Sequence, residues 1–471
     1  MMQIKTFSDG DQHYVYSAWT NQIARIDTRL HNLFSDGSPT EDPRQTAEGL
    51  GLVPSQPFSL DVLPDASITK ALADLRQTGP EHLVLSVTES CNFRCRYCTY
   101  SGIYDDARRH GKTHMSEAMA IKAVRWYLDF PRRHYHIGFY GGEPLLRRRL
   151  IEKVIFTARK YLPSEANLSF GMTSNCLFLD NRTIRFLAEN CIDLFVSLDG
   201  PASVHDRYRL TARGIPTFDR VWEGVKRIRR EQADYFDRHV NFSMTLAPPN
   251  QVEEIAAFVH SNPEIFAGKV PRIGMMNRPF PNVAERAGIS FQKEGIDLSR
   301  VRQHYLETLI KGGTPNGFSR ACSEGALRRI HVRNMVKLDV LKTNAGQCAP
   351  GSRCHVTPDG RLHMCEHGNE HWPIGHVDSG FDFTGIRDML ATFREFIQSR
   401  CQGCWAIRLC SRCIPKLAAG ATLSPRVFAA FCDASQKSLK QDLVDYCHAR
   451  NRNERCFDSF ADRHGEADTF I

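Results

Sequence analysis

The sequence predicts an α/β protein whose largest part is a partial, TIM-like (β/α)6 barrel. From about residue 81, an apolar strand is followed by an amphipathic helix six times in succession, and this alternation indicates a parallel sheet with right-handed crossovers. The first 80 residues have a different pattern, while Cys, Gly, His and Arg dominate after residue 320. We therefore predict a small N-terminal α+β module (1–80), the barrel (81–319), a Cys-rich C-terminal domain (320–436) and a helical tail (437–471).

The N-terminal module is predicted to contain a hairpin and a short helix. Polar and apolar residues alternate over Gln12–Asp27, as in two half-buried strands. A helix is expected at Arg29–Phe34, and the Ser, Pro, Gly and Asp residues of Ser35–Pro43 predict a loop.

The barrel elements follow in order. The predicted strands are Leu83–Val87, His136–Tyr140, Leu168–Met172, Leu194–Leu198, Val240–Leu246 and Arg272–Met276. The predicted helices are Ser116–Phe130, Arg147–Tyr161, Asn181–Glu189, Thr217–Gln232, Asn250–His260 and Ser299–Lys311. Ser116 and Thr217 are suitable N-cap residues, because their hydroxyls can accept a hydrogen bond from the first turn. A barrel of this kind has its functional site at the C-terminal ends of the strands.

Length and composition exclude several classes of protein. The chain has 471 residues, of which 24% are charged and 42% hydrophobic, a composition typical of a folded chain. No apolar run approaches the roughly 18–20 residues of a membrane span, and Met1–Gln12 has no apolar stretch typical of a secretory signal. We expect a soluble cytoplasmic protein without a membrane partner. The net charge of +8 comes with basic clusters such as Arg147–Arg149, which are interpreted as solvated helix faces, with contact to an acidic partner as the alternative. No nucleic-acid partner is expected.

The cysteines are the main indication of function. Sixteen cysteines are not expected to form disulfides in a reducing cytosol, so metal binding or catalysis is the better interpretation. Three lie between Cys91 and Cys98, and eight lie between Cys348 and Cys432. Cysteines that only fill a core would be scattered more evenly.

Cys91, Cys95 and Cys98 share one loop directly after the first barrel strand. Three thiolates can hold three irons of a 4Fe–4S cluster, and the fourth iron is then open to another ligand. Zinc is the alternative, but a structural zinc site needs a fourth ligand nearby. The spacing of three and then two residues is also unusual for zinc. The loop therefore predicts an iron–sulfur cluster.

This C-x-x-x-C-x-x-C loop, with Tyr97 before its last cysteine, resembles the signature of the radical SAM enzymes. The resemblance implies that the open iron binds S-adenosylmethionine, whose reductive cleavage gives a 5′-deoxyadenosyl radical that abstracts hydrogen from the substrate. It also implies a reducing partner such as flavodoxin or ferredoxin.

Other barrel residues are similar to cofactor-binding positions of that family. Gly141, Gly142 and Glu143 end the second strand and resemble the family's G-G-E motif, which contacts the methionine amino group. Tyr97 resembles the residue whose backbone binds the adenine.

Three further positions resemble the family near the cofactor. Ser197 matches a polar position on the fourth strand. Arg209 matches an arginine that faces the cofactor's carboxylate, a natural ion-pair partner; a surface arginine is the alternative. Asn175 ends the third strand and could hydrogen-bond the ribose, with an ordinary loop as the alternative.

Eight cysteines follow in the C-terminal region, the number that two fully ligated 4Fe–4S clusters require. Their spacing resembles the SPASM extension of radical SAM peptide and protein maturases. The resemblance implies two auxiliary clusters. The first would be held by Cys348, Cys354, Cys365 and Cys413. The second would be held by Cys401, Cys404, Cys410 and Cys432. Only Ser411 and Arg412 separate the last two cysteines of the central run, where the family usually has three residues, and this departure bears on Cys413. Two zinc ribbons are the alternative.

Glu366 directly follows Cys365, at a position where sulfatase-maturing relatives have an aspartate proposed as the base. A carboxylate there could take a proton from the substrate as its carbon radical is oxidised. The alternative is a salt bridge to a nearby arginine or histidine.

The resemblance predicts a maturase that cross-links a ribosomally made precursor peptide through a thioether, C–C or ether bond. The N-terminal hairpin and helix resemble a leader-recognition element, which would bind the leader of the precursor as an added edge strand. One alternative is an anaerobic enzyme that forms formylglycine in sulfatases. The other is a non-catalytic iron–sulfur protein that binds a leader or transfers electrons.

Overall fold

The N-terminal module is a three-stranded antiparallel sheet followed by helices. The computed structural model describes residues 3–37, 41–55, 62–104, 108–276, 295–335, 350–367 and 370–460. The module contains β1 (Ile4–Asp9), β2 (Gln12–Ser17), β3 (Gln22–Ile26), α1 (Thr28–Asp36), α2 (Pro43–Gly49) and α3 (Asp65–Thr78). The predicted hairpin is confirmed as β2 and β3, and β1 adds a strand that was not predicted. The predicted loop of Ser35–Pro43 is wrong at both ends, because α1 runs to Asp36 and α2 begins at Pro43.

The six parallel barrel strands are confirmed in the predicted order. They are β4 (His82–Thr88), β5 (His134–Gly141), β6 (Asn167–Ser174), β7 (Ile192–Ser197), β8 (Val240–Leu246) and β9 (Arg272–Met275). The helices of this part are α4 (Glu117–Leu128), α5 (Arg148–Tyr161), α6 (Asn181–Glu189), α7 (Ala202–Tyr208), α8 (Phe218–Glu231), α9 (Ala233–His239), α10 (Val252–His260), α11 (Pro263–Phe266), α12 (Ser299–Ile310) and α13 (Gly317–His331).

Only one of the two predicted N-caps is confirmed. The Ser116 hydroxyl accepts a hydrogen bond from the Met119 amide at the start of α4. Thr217 makes no side-chain cap bond, because its hydroxyl donates instead to the Arg209 carbonyl (2.7 Å). Tertiary contact overrides the local capping preference at this helix.

Side chains alternate between two environments along the barrel strands, since successive residues of a strand point to opposite faces. The residues of β8 that face the helices are apolar and buried: Val240, Phe242, Met244 and Leu246. The residues between them are polar and half-buried: Asn241, Ser243 and Thr245. The polar face lines the interior of the barrel, called here the lumen. A lumen with half-exposed side chains is open to solvent.

The C-terminal region extends the barrel sheet beyond β4. A parallel strand, β10 (Arg353–Val356), pairs with β4 and places Cys354 beside Leu83. The sheet continues with antiparallel β11 (Arg361–His363), β12 (Gly375–His376) and β13 (Gly380–Phe381). Then follow α14 (Phe383–Cys401), α15 (Ile414–Leu417), the small hairpin of β14 (Ala418–Ala419) and β15 (Thr422–Leu423), and α16 (Pro425–Arg452).

One expectation for this region differs from the structure. The C-terminal helix begins at Pro425 rather than at residue 437, because the Ser424 hydroxyl caps α16 by accepting from the Val427 amide. Cys432 therefore lies inside a helix. The region also contains α14, a helix of 19 residues that was not predicted. No helix in the described ranges combines the length and apolar character that a membrane crossing needs.

The N-terminal module packs against the C-terminal region. The Arg408 guanidinium donates to the Trp19 carbonyl (3.2 Å), and Arg333 Nε donates to the Asn21 carbonyl (2.7 Å). Asp9 of β1 pairs with His448 of α16 at 3.0 Å. These contacts tie the two ends of the chain together.

Candidate functional site

The three cysteines predicted to bind the first cluster lie in the loop after β4, residues 89–98, called here the cysteine loop. Cys95 is buried, and Cys91 and Cys98 are half-buried. The amides of Phe93 and Tyr100 point at the sulfurs of Cys91 and Cys98, each at 3.4 Å. Burial raises the pKa of the Cys91 thiol to about 12 and raises those of the other two. The loop therefore disfavours bare thiolates and suits a cationic ligand such as iron, whose binding releases the protons.

Backbone hydrogen bonds hold the cysteine loop in place. The Arg94 amide donates to the Leu210 carbonyl (2.8 Å), and the Arg96 amide donates to the Tyr208 carbonyl (3.1 Å). The end of α7 and the residues after it are thus joined to the loop by backbone hydrogen bonds, as two strands of a sheet are.

Gly141 and Gly142 allow the end of β5 to approach the cysteine loop closely. A Cβ at Gly141 would lie 2.2 Å from the Thr88 carbonyl oxygen, and one at Gly142 would lie 2.2 Å from the Ser90 carbonyl oxygen. Gly141 also has a φ of +128°, a conformation that favours glycine. The Gly142 amide donates to Thr88 (2.8 Å), and the Glu143 amide donates to Ser90 (2.9 Å). The chain's own loop therefore requires both glycines.

Glu143 joins the end of β5 to the end of β6. Its Oε1 accepts hydrogen bonds from the Ser174 hydroxyl (2.7 Å) and the Leu145 amide (3.0 Å), and its Oε2 accepts from the Asn175 amide (2.8 Å). Burial raises the pKa of this carboxyl, and the three hydrogen bonds oppose that rise.

Asn175 contacts the cysteine loop with its side chain. Its Nδ2 donates to Asn92 Oδ1 (2.8 Å) and lies 3.8 Å from Cys91 Sγ, while its Oδ1 accepts from the Leu177 amide (3.1 Å). Both ends of the amide are thus used within the protein, and the ribose contact stays a prediction. Beside it, Asn92 Nδ2 is buried without a hydrogen-bond partner among the described residues. An unpartnered donor next to Cys91 fits a site that takes a ligand.

Arg209 forms a buried, bidentate pair with Asp199. The Nε–Oδ2 distance is 2.9 Å and the Nη2–Oδ1 distance is 3.0 Å, so the surface alternative for Arg209 is wrong. The Tyr97 hydroxyl and the Thr245 amide also donate to the Asp199 carboxylate. Arg209 Nη1 takes no part in the pair. Sequence reasoning missed Asp199, although it lies two residues after Ser197.

Ser197 and Tyr97 lie where the barrel strands end. Ser197 is buried at the end of β7, and the Tyr97 carbonyl accepts a hydrogen bond from the Tyr104 hydroxyl (3.4 Å). The Tyr97 ring packs at 5.6 Å from the Tyr208 ring. Tyr208 also lines a small cleft together with Thr245 and Leu246.

Glu366 comes from the C-terminal region and lies near Tyr100, which follows the cysteine loop. The Tyr100 ring lies 6.4 Å from the Tyr140 ring, which in turn lies 6.0 Å from His367. Glu366 Oε1 pairs with Arg353 Nη1 at 2.7 Å, so the salt bridge considered as an alternative is present. Glu366 Oε2 is buried without a partner in the described part of the chain. Burial would raise the pKa of Glu366, but the charges of His367 and Arg353 hold it below its usual value.

Four cysteines of the C-terminal region come together in the structure: Cys401, Cys404, Cys410 and Cys432, called here the C-terminal thiol group. Burial, and then the charges of the other three thiols, raises the pKa of Cys432 to about 12. Arg412 is buried beside them and opposes the rise at every one of the four. This is the set implied for the second auxiliary cluster, and its role as a ligand set stays a prediction.

The other implied set is only partly described. Cys354 is buried on β10, Cys365 follows β11, and Cys413 directly precedes α15, whereas Cys348 lies outside the described residues. The fifteen described cysteines form no disulfide. Across the described ranges, no three Cys, His, Asp or Glu side chains converge as ligands of a single metal ion would. Each thiolate of a 4Fe–4S cluster binds a different iron, so such ligands stand farther apart than those of one ion.

The chain is similar in sequence and fold to several known proteins. Residues 85–260 match the family model of the Radical SAM superfamily. The chain is 23% identical over 317 residues to the serine-type anaerobic sulfatase-maturating enzyme of Klebsiella aerogenes, covering 65% of this chain and 72% of that protein. It is 24% identical over 346 residues to the cysteine-type anaerobic sulfatase-maturating enzyme of Clostridium perfringens strain 13, covering 70% and 86%.

A solved structure has the same fold. Native anSMEcpe with bound AdoMet and Cp18Cys peptide matches with a TM-score of 0.57 and 17% identity. The match covers 81% of this chain and 99% of that chain. About a fifth of this chain therefore extends beyond the shared fold.

Proposed function

Because the chain is an enzyme with a radical SAM domain, homologous to the anaerobic sulfatase-maturating enzymes, we propose that it is a peptide maturase. It would oxidise a ribosomally made precursor by two electrons and join two of its residues through a thioether, C–C or ether bond. A cytoplasmic location and a reducing partner such as flavodoxin or ferredoxin belong to the same proposal.

The N-terminal module is the observation that supports a precursor with a leader. Its strand order is β1-β2-β3, so β3 is an edge strand, and its side chains are half-buried or exposed. An edge strand offers unpaired backbone groups to which an extended peptide can add. Because the module is bonded to the C-terminal region, a leader on β3 would be held at a fixed distance from the barrel.

The residues of the site have separate roles in this proposal. Cys91, Cys95 and Cys98 would hold the cluster, and Glu143 and Asn175 position the loop that carries them. When bound, the clusters and S-adenosylmethionine supply the radical that removes a hydrogen atom from the substrate and accept the electron that the substrate loses.

Glu366 would take the proton that leaves the substrate. Its lowered pKa keeps the carboxylate ionised at neutral pH, which is the form that accepts a proton. Arg353 fixes one oxygen at 2.7 Å, and the unpartnered Oε2 is the oxygen that would receive the proton. Glu366→Gln should therefore keep the formation of 5′-deoxyadenosine and lose the peptide product.

The experiment is mass spectrometry of a small peptide encoded beside the gene, after anaerobic incubation with reconstituted protein, reductant and S-adenosylmethionine. We expect a loss of two hydrogens per site together with 5′-deoxyadenosine, and fragmentation would locate the bond. Formation of 5′-deoxyadenosine without any change in the peptide would reject this substrate.

Formylglycine formation in a sulfatase is the second candidate, and the two sulfatase-maturating relatives favour it. The test is the same incubation with a peptide that carries a Cys/Ser-x-Pro/Ala-x-Arg motif. Oxidation of that Cys or Ser to an aldehyde, with the neighbouring peptide unchanged, would select this function.

A further inference from the structure

The barrel lumen contains an arginine that makes no hydrogen bond or ion pair within the described residues. Arg272 begins β9, and its guanidinium carbon lies 3.5 Å from the centre of the Phe195 ring on β7. Its Nε is buried and makes no hydrogen bond there. The ring holds the flat face of the guanidinium and leaves its hydrogen-bonding edge directed elsewhere.

The acidic side chains near Arg272 are bound to other groups. Asp193 of β7 pairs with His239 at 2.8 Å. Glu366 pairs with Arg353 through Oε1. Neither carboxylate neutralises Arg272 by direct contact.

Arg353 is a second cation in the same lumen. It begins β10, and its Nε is buried without a partner in the described ranges, like that of Arg272. The two guanidiniums repel each other: burial, and then the charge of Arg353, lowers the pKa of Arg272 to about 10. Arg353 already has Glu366 as its counter-ion, but Arg272 has no ion-pair partner among the described residues, and a partly desolvated cation without an anion is costly.

We propose that Arg272, assisted by Arg353, binds a carboxylate of the substrate inside the lumen. The proposal rests on the proposed function, since a carboxylate is the anionic group that an unmodified peptide offers. It names the substrate class more narrowly: a peptide with an aspartate or glutamate side chain, or its own C-terminal carboxylate, near the modified residue. Arginine suits this role, because its donors match the two oxygens of a carboxylate.

The first test measures the anion site alone by isothermal titration calorimetry of the holoenzyme. The probes are glutarate and its uncharged analogue glutaramide. We expect glutarate to bind about ten- to a hundred-fold more tightly, as for one charge-assisted contact, and Arg272→Gln to remove the difference. Arg272→Lys keeps the positive charge but lacks the paired N–H donors of the guanidinium, so it should retain part of the difference in affinity. Arg238→Gln is the control, because Arg238 is exposed on α9; equal affinity for the two probes would overturn the proposal.

The second test identifies the source of the carboxylate. Random nonapeptides are selected for binding to the immobilised holoenzyme in two arms. In the first arm each peptide is attached to its carrier through its C-terminus, so that this carboxylate is blocked. In the second arm each peptide is attached through its N-terminus, so that the C-terminal carboxylate is free. Enrichment of Asp or Glu in the first arm indicates a side-chain carboxylate. Retention of peptides in the second arm alone, without enrichment of Asp or Glu, indicates the C-terminal carboxylate. Either result should be lost in Arg272→Gln.

The outcomes separate this proposal from the proposed function. Selected peptides without any carboxylate preference would overturn the lumen site and leave the peptide maturase in place. Tight binding of glutarate with no peptide retained in either arm would keep the site and reject a peptide substrate.

Discussion

The cysteine loop and the C-terminal thiol group both gather cysteines, but they are built in different ways. The cysteine loop is fixed by backbone bonds from two directions, with carbonyls of Thr88 and Ser90 at positions that only glycine tolerates opposite them. The C-terminal thiol group is carried by helices: Cys401 ends α14 and Cys432 lies in α16. In the proposed function the cysteine loop presents an open iron to a cofactor and needs accurate placement, whereas the closed cluster proposed for the C-terminal thiol group needs only four ligands.

The largest expected effect separates the chemistry of the two regions. Cys95→Ala should reduce 5′-deoxyadenosine formation to background, because it removes a ligand of the cluster that binds the cofactor. Cys432→Ala should keep that activity while it lowers the bound iron and abolishes the peptide product. Chromatography of 5′-deoxyadenosine and iron analysis of both variants check this. Background activity in both variants would mean that the two regions do not act separately.

Gly142→Ala tests the rigidity of the cysteine loop. A Cβ there would meet the Ser90 carbonyl at 2.2 Å, so we expect a loss of about 1–3 kcal/mol in the free energy of unfolding together with reduced iron content. Gly325→Ala is the matched control, because nothing lies within 4 Å of its added Cβ in α13. It should stabilise the protein by about 0.5–1 kcal/mol. Urea unfolding monitored by circular dichroism measures both; a neutral Gly142→Ala would show that the loop can move.

The sequence could predict those features of the molecule that depend on local patterns. Strands of the barrel were found within about two residues because their apolar positions form local, continuous patterns. The helix α14 carries its own signal in Ile386, Leu390, Phe393 and Ile397, which are buried on one face, but the surrounding cysteines obscured it. Cysteine spacing indicated the thiol groups, since spacing is local information.

Contacts between distant segments could not be predicted in this way. The pairing of β10 with β4 joins residues that are some 270 positions apart, and the Asp199–Arg209 pair depends on how α7 turns back over the barrel. Glu366 was found through its neighbour Cys365, but its partner Arg353 follows from the pairing of β10 and β11. These features depend on tertiary structure, to which a single sequence gives no direct access.

Arg412 sharpens the comparison, because the cysteine loop has no equivalent buried cation within two residues of its last cysteine. It is 3% exposed and its Nε lacks a partner among the described residues. A positive charge favours the reduced, more negative form of a bound cluster, so Arg412→Gln should lower the reduction potential of the cluster proposed for the C-terminal thiol group. Arg412→Lys should preserve it. Redox titration followed by electron paramagnetic resonance measures both potentials. An unchanged potential in Arg412→Gln would show that the charge of Arg412 does not tune the cluster.

The smallest expected effect concerns Glu366 of the C-terminal region and its ion pair with Arg353. Burial acts to raise its pKa, but His367 and Arg353 lower it below the usual value. Because the folded pKa is the lower one, the ion pair stabilises the protein above the unfolded value of about 4.3 and loses its contribution as the pH falls through the folded value.

The difference in melting temperature between the protein and Glu366→Gln should therefore stay constant from pH 8 to pH 5. Thermal unfolding at steps of half a pH unit measures it, with Glu264→Gln on the surface helix α11 as a control. A difference that changed between pH 8 and pH 6 would mean that Glu366 titrates near neutrality. In that case Arg353 would not hold the Glu366 carboxylate in its ionised form. Glu366 would then exchange protons near neutral pH instead of staying charged throughout this range.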